Sequence, residues 1–321
     1  MPKISVIIPC YNVEKCLEEC LDSVLKQTFN DFEVICVEDC STDNTLDILQ
    51  KYKNKLSIHV VHNDANKGQA ESRNIGLKLA KGDYIYFLDS DDIITPNCLE
   101  ILYNKISKDN SDLVIAQIKA YPQEPTDSFC TTYSDNLNDY LRFTPFEQYK
   151  VTPTNAINNY NKLNCCPVNK LYRKSFLLDN NIYFIHQKCF HEDNGFWLKI
   201  LACNPIISGI DEITYFYRVR NGSTSDKMST DKKIHKVNLK KSLEDALDYA
   251  KKRNNNIFAD FIYYEIYRLK KHKFSFIWLR YEKHLKIFWI TIFKIKLNPR
   301  KGKYTLKILG IPVLKWREKN A

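Results

Sequence analysis

The chain has 321 residues, 44% of them hydrophobic, which is enough for one large domain or for one domain with an appendage. The longest apolar stretch near the C-terminus, residues 285–293, is too short to span a bilayer, and no signal peptide is visible, so we expect a cytoplasmic protein. Residues 251–321 hold 19 Lys and Arg against 4 Asp and Glu in a chain of net charge +10, so a basic tail follows a mildly acidic body.

The first third of the chain alternates between apolar, β-branched runs and segments with apolar residues at helical spacing. Units of roughly thirty residues predict an α/β fold with a central, mostly parallel sheet flanked by helices. The predicted strands are 4–9, 32–39, 56–63, 83–92 and 112–118. The predicted helices are 13–25, with Asn12 as its cap, and 41–52, 68–82 and 95–109.

Beyond residue 120 this alternation stops. Residues 121–160 contain four prolines among Asp, Asn, Ser and Thr, and we expect a long excursion there. A helix should then start near an acidic pair at 192–193, a strand should cover 212–220, and helices of increasingly basic character should follow. The predicted domains are 1–230, with halves 1–120 and 121–230, and a helical, basic and aromatic extension over 231–321.

The eleven cysteines are scattered, odd in number and without a CxxC pair. This pattern does not indicate a disulfide framework, and no convincing set of metal ligands surrounds Cys16 and Cys20, which are one helical turn apart. We expect free thiols, packed as small hydrophobic side chains in a reducing compartment.

Acidic side chains follow the second and fourth predicted strands. Glu38 and Asp39 end the second strand, and Asp89, Asp91 and Asp92 end the fourth. Like charges this close repel one another and lose hydration if the fold covers them, so we expect a cation nearby. In open α/β sheets ligands bind beyond the carboxyl ends of the strands, where both clusters would meet. Solvation of a loop is the alternative for either cluster alone.

The presence of some motifs and the absence of others limit the class of ligand that this edge of the sheet can bind. No GxGxxG follows the first strand and no GxxxxGK[ST] occurs, which disfavours dinucleotide-binding and P-loop domains. Asp89 and Asp91 lie on the same side of an extended segment, because side chains there alternate with period two. Carboxylates can hold a divalent cation and, through it, phosphates, so we expect Mn²⁺ or Mg²⁺ with a nucleotide diphosphate.

Four motifs occur in order along the chain: ISVIIPCYNVEKCLEECLDSVLKQTF, VEDCSTDNT, NKGQAESRNIGLKLAKGDYIYFLDSDD and HEDNGFW. Together they resemble the family 2 glycosyltransferases, which have the GT-A fold, and the resemblance covers roughly residues 3–225. It implies an inverting enzyme of the type that builds bacterial surface polysaccharide. Such an enzyme would move a sugar from a UDP-sugar to a hydroxyl group of a growing glycan, such as lipooligosaccharide or capsule.

The resemblance also assigns residues to the nucleotide. Pro9, Tyr11, Glu38 and Asp39 would hold the base and ribose, and Arg73 would approach the nucleotide and its phosphates. The family's usual acidic pair is Asp-Asp followed by Gly, whereas this chain has Glu-Asp-Cys. The Glu keeps the charge of the Asp that it replaces but lengthens the reach of the side chain.

The Asp-x-Asp motif of the family is matched by Asp89 and Asp91. The resemblance implies that Asp91 is the metal ligand and that Asp89 contacts the ribose or the donor sugar. Asp92 receives no role from it, and we expect Asp92 to cap the following turn. The later loop RVRNGSTSDK, with Arg218, Arg220 and the hydroxyl groups after them, would close over the diphosphate, or else is an ordinary solvated loop.

The motif HEDNGFW matches the family's Glu-Asp motif at a helix start. An acceptor hydroxyl that attacks an anomeric carbon must lose its proton, which a positioned carboxylate can take. Asp193 is the expected base, Glu192 the second candidate and His191 the third, and one direct displacement would invert the anomeric centre. The alternative is that the acidic pair only favours a helix N-terminus through its dipole. Lys170 and Tyr172 would line the acceptor side, or belong to the core and surface of a helix.

The basic tail mixes Lys and Arg with Phe, Trp, Tyr and Ile, which suits the headgroup layer of an anionic membrane. The resemblance agrees, since family members that build surface polysaccharide commonly act on lipid-linked acceptors. We expect peripheral binding to the inner face of the cytoplasmic membrane and a glycan or lipid-linked glycan as acceptor. An ordinary packed tail with a solvated basic face is one alternative. Nucleic-acid binding is another, but no nucleic-acid module is recognisable, and we expect none.

Two other functions stay open as alternatives. A sugar-phosphate nucleotidyltransferase would need a Gly-rich, Arg-containing loop near the N-terminus, which VIIPCYNVEKC lacks. A non-catalytic scaffold with the GT-A fold, recruited to the membrane by its basic tail, would not need to keep Asp39, Asp89, Asp91 and Asp193 together.

Overall fold

The computed structural model describes residues 1–123, 138, 146–152, 155, 163–220 and 232–270, and four strands between 284 and 317. The elements up to residue 123 are β1 (Ile4–Cys10), α1 (Leu17–Leu25), β2 (Phe32–Glu38), α2 (Thr45–Tyr52), β3 (Ile58–His62), α3 (Gln69–Leu79), β4 (Tyr84–Phe87), β5 (Ile93–Ile94), α4 (Cys98–Asp109) and β6 (Leu113–Pro122). The next elements are β7 (Gln148–Lys150), β8 (Lys170–Arg173), α5 (Lys174–Asp179), α6 (Glu192–Ala202), β9 (Ile206–Val219), α7 (Lys232–Lys252) and α8 (Asn256–Lys270).

The main sheet of the described residues has nine strands in the order β3-β2-β1-β4-β8-β6-β9-β5, with β7 paired to β9. Strand β1 is parallel to β2 and β4, and β2 is parallel to β3. Antiparallel pairs involve β5, β7 and β8. The predicted α/β fold with a mostly parallel central sheet is confirmed. Because β1, β2 and β4 are parallel, their carboxyl ends meet at one edge of the sheet.

Helices cover both faces of this sheet. Val6 and Ile8 on β1 belong to a buried cluster that also contains apolar residues of α1, α2 and α4. Ile7, which points to the opposite face, packs against α3, where a Cβ atom on Gly76 would overlap the Ile7 side chain. Burial on both sides explains why these strands are near-continuous apolar runs in the sequence.

Two local predictions are wrong. Asn12 does not cap α1, which begins at Leu17; instead its Oδ1 accepts the N–H of Thr42 at 2.9 Å, and its own φ is 51°. The segment NKLYRKS is not helical throughout, because residues 170–173 form β8, which pairs with β4 and β6. In both places contacts with residues distant in the sequence override the local pattern.

The extension predicted to be helical over 231–321 is only partly so. Helices α7 and α8 confirm the prediction as far as Lys270. It is wrong further on, where β10 (His284–Ile287), β11 (Ile290–Asn298), β12 (Lys303–Ile308) and β13 (Ile311–Arg317) form an antiparallel sheet in that order. The physical reason is visible in ITIFKIKLN and KYTLKI, where β-branched, aromatic and apolar residues alternate with polar ones at period two.

The chain divides into two compact units, Met1–Ala246 and Leu247–Ala321, so the division falls within α7. The predicted domain limit at residue 230 stays a prediction. All ten cysteines of the described residues are free, as predicted, and Cys130 lies outside those residues. Within the part of the chain that is described, no helix is both long and apolar enough to cross a membrane.

Candidate active site

The carboxyl ends of β1, β2 and β4 form what we call the donor edge, which comprises residues 9–12, 38–41 and 88–92. Cys10 is paired with Glu38 in the sheet register, and the N–H of Asp39 donates to the carbonyl oxygen of Cys10 at 2.9 Å. On the other side of β1 the N–H of Leu88 donates to the carbonyl oxygen of Ile7. The sheet thus brings together the three segments that the sequence singled out.

Pro9 and Tyr11 lie on the first of these segments. Pro9 is within β1, opposite Val37, and Tyr11 follows the strand with 46% of its surface exposed. An exposed aromatic ring beside a set of buried carboxylates is suited to stacking on a nucleotide base. Its contact with a base stays a prediction.

Glu38 is buried, and both of its carboxylate oxygens have partners within the protein. Oε1 accepts the N–H of Ser41 at 2.6 Å, and Oε2 lies 2.5 Å from Nδ1 of the half-exposed His62. Glu38 therefore fixes the turn after β2 and the end of β3, whatever its contact with a nucleotide.

Asp39 is also buried and organises the approach to α3. Its Oδ1 accepts the side-chain amide of Asn63 at 2.8 Å and the N–H of Lys67 at 2.9 Å, and its Oδ2 accepts the N–H of Gly68 at 2.7 Å. Gly68 has φ 87°, a conformation that favours glycine, and it directly precedes α3. One carboxylate thus holds the chain at the point where α3 begins.

Arg73 lies on α3 and is almost completely buried between two carboxylates. Its Nη2 donates to Asp89 Oδ1 at 2.6 Å, and its Nη1 donates to Glu192 Oε1 at 2.8 Å. The sequence placed Arg73 near the phosphates of the nucleotide. That contact stays a prediction; the structure places Arg73 between the Asp-x-Asp motif and the Glu-Asp motif, which lie more than a hundred residues apart in the chain.

Glu192 is the first residue of α6, and its environment is unusual for a carboxylate. Oε1 accepts from Arg73 and from the side-chain amide of Gln69, whereas Oε2 is buried and has no hydrogen-bond partner among the described residues. Burial raises the pKa of Glu192 to about 7, against the opposing effect of Arg73, and the nearby charge of Asp193 adds to the increase.

The Asp-x-Asp motif follows β4 with both carboxylates partly exposed. Asp89 is paired with Arg73, and Asp91 Oδ2 is 2.9 Å from both Nε and Nη2 of Arg220. Burial raises the pKa of Asp91, and Arg220 acts against this increase. Arg220 therefore supplies a positive charge at the position where the sequence predicts a cation.

Asp92 is the residue of this cluster that the sequence reasoning missed. It is buried and does not merely cap a turn, because Oδ2 accepts the hydroxyl of Tyr215 at 2.6 Å and Oδ1 accepts the N–H of Arg218 at 2.7 Å. Burial and the charges of Asp91 and Asp89 raise its pKa well above the usual value. Asp92 anchors the Asp-x-Asp loop to β9. The sequence signal for this role is that a third acidic residue directly follows Asp89 and Asp91.

Arg218 makes a second contact between β9 and this loop. Its Nε donates to the carbonyl oxygen of Asp91 at 2.7 Å, and its Nη2 donates to Glu19 on α1 at 2.8 Å. The hydroxyl-bearing residues after Arg220, Ser223 and Thr224, lie outside the described residues. So does most of the predicted excursion over 121–160.

Asp193 lies beside Glu192 in the first turn of α6, as the sequence predicted. Its Oδ1 accepts from the backbone and side-chain amide of Asn194, and its Oδ2 accepts from the thiol of Cys165 at 3.6 Å. His191 precedes the helix with φ 69°, and its Nε2 lies 2.8 Å from Nδ1 of His235 on α7. Burial lowers the pKa of His191, which favours the neutral imidazole.

Lys170 and Tyr172, expected either on the acceptor side or on a helix, are buried on β8. Lys170 Nζ donates to Asn164 Oδ1 at 2.6 Å and to the carbonyl oxygen of Cys166 at 2.5 Å. Burial lowers the pKa of this ammonium group to about 8. These bonds fix the segment that carries Cys165, whose thiol donates to Asp193, so Lys170 stabilises the surroundings of Asp193 from within the core.

A divalent cation would have to be held by the carboxylates of the donor edge. No group of three or more His, Cys, Asp or Glu side chains in the described parts of the chain is arranged as a metal cage. The residues nevertheless fit a cation such as Mn²⁺ or Mg²⁺, because one or two carboxylates together with substrate phosphates are a common ligand set. The pairing of Asp91 with a guanidinium group shows that this carboxylate is placed to face positive charge.

Comparison with known proteins identifies the class. The sequence profile of "Glycosyl transferase family 2" matches residues 5–179, more than half of the chain, so the chain belongs to this family and the predicted resemblance is confirmed. It is 34% identical over 224 residues to "Poly(ribitol-phosphate) beta-N-acetylglucosaminyltransferase TarS" of Staphylococcus aureus, a match that covers 68% of this chain and 36% of TarS. The chain thus spans about a third of the length of that relative.

A second relative is of similar length. "Glycosyltransferase GlyG" of Streptococcus pneumoniae is 31% identical over 222 residues, which cover 68% of this chain and 72% of GlyG. The crystal structure of S. aureus TarS 1-349 in complex with UDP-GlcNAc superposes with a TM-score of 0.59 at 24% identity and covers 88% of this chain and 96% of that one. A mannosyltransferase of Pyrobaculum calidifontis, solved with GDP-Man and Mn²⁺, has a TM-score of 0.53 at 16% identity and covers 84% and 74%. These structures confirm the GT-A fold.

Proposed function

We propose that the protein is an inverting glycosyltransferase that transfers a sugar from a UDP-sugar to a hydroxyl group of a growing glycan. The observation that carries this proposal is Arg73, which joins Asp89 of the donor edge to Glu192 beside Asp193. The carboxylates suited to a donor and the carboxylate suited to an acceptor are thereby brought to one place. A scaffold would have no need of this arrangement.

On the donor side, Tyr11 and Asp39 take the base and ribose, and Asp89 contacts the ribose or the transferred sugar. A cation held by Asp91 would neutralise the charge of the diphosphate and so make UDP a better leaving group. Arg218 and Arg220, which already contact the Asp-x-Asp loop, add positive charge beside the same phosphates.

On the acceptor side, Asp193 is the general base. It takes the proton of the acceptor hydroxyl while that oxygen forms a bond to the anomeric carbon from the face opposite UDP. The bond between the anomeric carbon and the phosphate oxygen breaks at the same time, and UDP leaves with its electron pair. One displacement of this kind inverts the anomeric configuration, and no covalent intermediate with the protein is needed.

The names of the relatives support a UDP-sugar and a glycan acceptor. TarS carries poly(ribitol-phosphate) in its name and was crystallised with UDP-GlcNAc. We infer a hydroxyl-bearing polymer, free or lipid-linked, as the acceptor class for this chain. The buried, hydrogen-bonded carboxylates of the donor edge support a nucleotide ligand independently of these names.

The test measures whether the protein turns over UDP-GlcNAc, UDP-glucose or UDP-galactose in the presence of Mn²⁺. Turnover is detected as the release of UDP. The anomeric proton coupling of the product, measured by NMR, reports the configuration. We expect turnover of at least one donor, with an inverted product. A product of retained configuration contradicts the direct displacement, and folded protein that neither binds UDP nor turns over any donor favours the scaffold.

We also propose that the basic tail binds the anionic inner face of the cytoplasmic membrane. The support is the local excess of 19 Lys and Arg over 4 Asp and Glu in residues 251–321, together with the aromatic residues that are mixed with them. Full-length protein should sediment with phosphatidylglycerol vesicles but not with phosphatidylcholine vesicles. Replacing Lys294, Lys296, Lys303 and Lys307 by Gln should abolish sedimentation of the protein with phosphatidylglycerol vesicles. Unchanged sedimentation of that variant would contradict the proposal.

A further inference from the structure

Arg73 is enclosed in a way that leaves little room for a phosphate. Only 2% of the residue is exposed, and its guanidinium carbon lies 5.3 Å from the ring centroid of Phe184. That ring is in turn stacked on Phe196 of α6 with centroids 3.9 Å apart. A phosphate could reach the guanidinium group only by displacing these rings or one of the two paired carboxylates.

The two carboxylates that Arg73 joins come from different parts of the fold. Asp89 follows β4 at the donor edge, and Glu192 begins α6. Gln69 lies one helical turn before Arg73 on the same face of α3, and it donates to the same Oε1 of Glu192 at 2.6 Å. One face of α3 therefore fixes a single oxygen of Glu192 with two donors, while its arginine also holds Asp89.

The first turn of α6 is held from a second side as well. Ser242 of α7 donates to the carbonyl oxygen of His191 at 2.6 Å and accepts the N–H of Gly195 at 2.8 Å. A Cβ atom on Gly195 would overlap Ser242. The turn that carries Asp193 is thus packed between α3 and α7, whereas, among the residues that the structure describes, the Asp193 side chain itself has hydrogen-bond partners only in Asn194 and Cys165.

We propose that Arg73 is a positioning residue: it holds Glu192, and with it the turn of α6 that carries Asp193, at a fixed place relative to the donor carboxylate Asp89. Glu192 then accepts the hydrogen bond from Arg73 and does not act as a base. The inference rests on the proposed function, in which Asp89 contacts the donor and Asp193 takes the acceptor proton. It deepens that function because Arg73 then connects the two halves of the site and does not bind a phosphate directly.

The first test separates a phosphate ligand from a positioning residue. Calorimetry with Mn²⁺ compares the affinities of UDP and uridine for wild type, for Arg73→Met and for the matched control Arg173→Met, an arginine on β8 that binds Ser111 and Asn110 away from the site. A positioning role leaves the ratio of the two affinities within about threefold of wild type. A fall of about thirtyfold in Arg73→Met alone identifies a phosphate ligand and overturns the proposal.

The second test separates a positioning role of Glu192 from a catalytic one. Glu192→Gln keeps an oxygen that Arg73 and Gln69 can bind but cannot act as a base, whereas Glu192→Met removes the oxygen. With the UDP-sugar that wild type turns over, we expect kcat within about fivefold of wild type for Glu192→Gln and about fiftyfold lower for Glu192→Met, each with KM for the donor little changed. A Glu192→Gln variant as inactive as Glu192→Met overturns the proposal.

A double variant completes the test and guards against simple unfolding. Arg73→Met/Glu192→Met removes both charges of the buried pair. Neither Arg73 nor Glu192 is then left buried without the other. If the two residues act through one contact, kcat of the double variant is about that of the slower single variant. If the fold-losses in kcat of the two single variants multiply in the double variant, the two residues do not act through one contact, which contradicts the proposal. Failure of the proposed function would appear separately, because wild type itself would then not bind UDP.

Discussion

The carboxylates of the donor edge and the carboxylate proposed as the base are held very differently. Asp39 accepts three hydrogen bonds from the segment that leads into α3, and Asp92 accepts two from β9. Asp91 faces the guanidinium group of Arg220. Asp193, by contrast, has two hydrogen-bond partners in the described part of the chain, the adjacent Asn194 and, at 3.6 Å, the thiol of Cys165.

This difference agrees with the two tasks that we propose for these carboxylates. A site for a charged diphosphate works best when its charges and dipoles are already in place before the ligand arrives. A general base must exchange a proton in each turnover, and strong hydrogen bonds to its ionised form would reduce its basicity. Changes at the donor edge should therefore affect stability and binding together, whereas a change at Asp193 should affect the reaction alone.

The largest expected effect is that of Asp193→Asn. Removing a general base should lower kcat by about a hundredfold to ten-thousandfold, while the Kd of UDP changes by less than about threefold. The measurement is donor turnover together with calorimetry, and Asp179→Asn at the exposed end of α5 is the matched control. Turnover that survives in Asp193→Asn would mean that the base lies elsewhere.

Asp92→Asn should disturb both stability and nucleotide binding. An amide in this position keeps one acceptor oxygen, so either the hydroxyl of Tyr215 or the N–H of Arg218 loses its partner. We expect a loss of about 2 kcal/mol in the free energy of unfolding, since a buried hydrogen-bonding group is left without its partner, and about tenfold weaker UDP binding with Mn²⁺. Chemical denaturation and calorimetry measure the two effects. Unchanged stability would argue against Asp92 as an anchor.

Lys170→Met should affect stability more than turnover. The substitution leaves the buried acceptors Asn164 Oδ1 and the carbonyl oxygen of Cys166 without their ammonium donor, at an expected cost of about 2 kcal/mol. Since burial lowers the pKa of Lys170 to about 8, wild type gains stability as the pH rises from 8 towards 10.5, where only the unfolded chain is still protonated. This gain should be absent in Lys170→Met. Denaturation curves between pH 7 and pH 10 test both statements.

Glu192→Gln gives the smallest effect, seen in the pH dependence of stability. The pKa of Glu192 is raised to about 7 in the folded protein. Between the unfolded pKa and pH 7 the folded state therefore binds a proton that the unfolded chain has lost. Wild type loses stability as the pH rises through this range. The uncharged Gln does not titrate. Its stability relative to wild type should therefore increase by up to about 1 kcal/mol for each pH unit between 5 and 7. A difference that is constant with pH would contradict the raised pKa.

The sequence predicted those features that local patterns encode. Buried parallel strands are continuous apolar runs, and acidic clusters at their ends mark the donor edge, so both could be found before the structure was seen. The partners of those acids could not. Arg73 meets Glu192 119 positions away, and Asp92 meets Tyr215 123 positions away, and no local pattern carries such pairings. In the tail, helices were predicted, whereas the period-two alternation of polar and apolar residues favours the strands β10, β11, β12 and β13.

The central claim, a metal-dependent UDP site at the donor edge, is tested most directly by calorimetric titration of UDP with and without Mn²⁺. The proteins to compare are wild type, Asp91→Ala and the control Asp179→Ala, with GDP and CMP as competing nucleotides. We predict that UDP binds wild type and the control at least about tenfold more tightly with Mn²⁺ than without it, and that Asp91→Ala loses this difference. UDP binding that is independent of Mn²⁺, or that is equal in wild type and Asp91→Ala, would contradict the account.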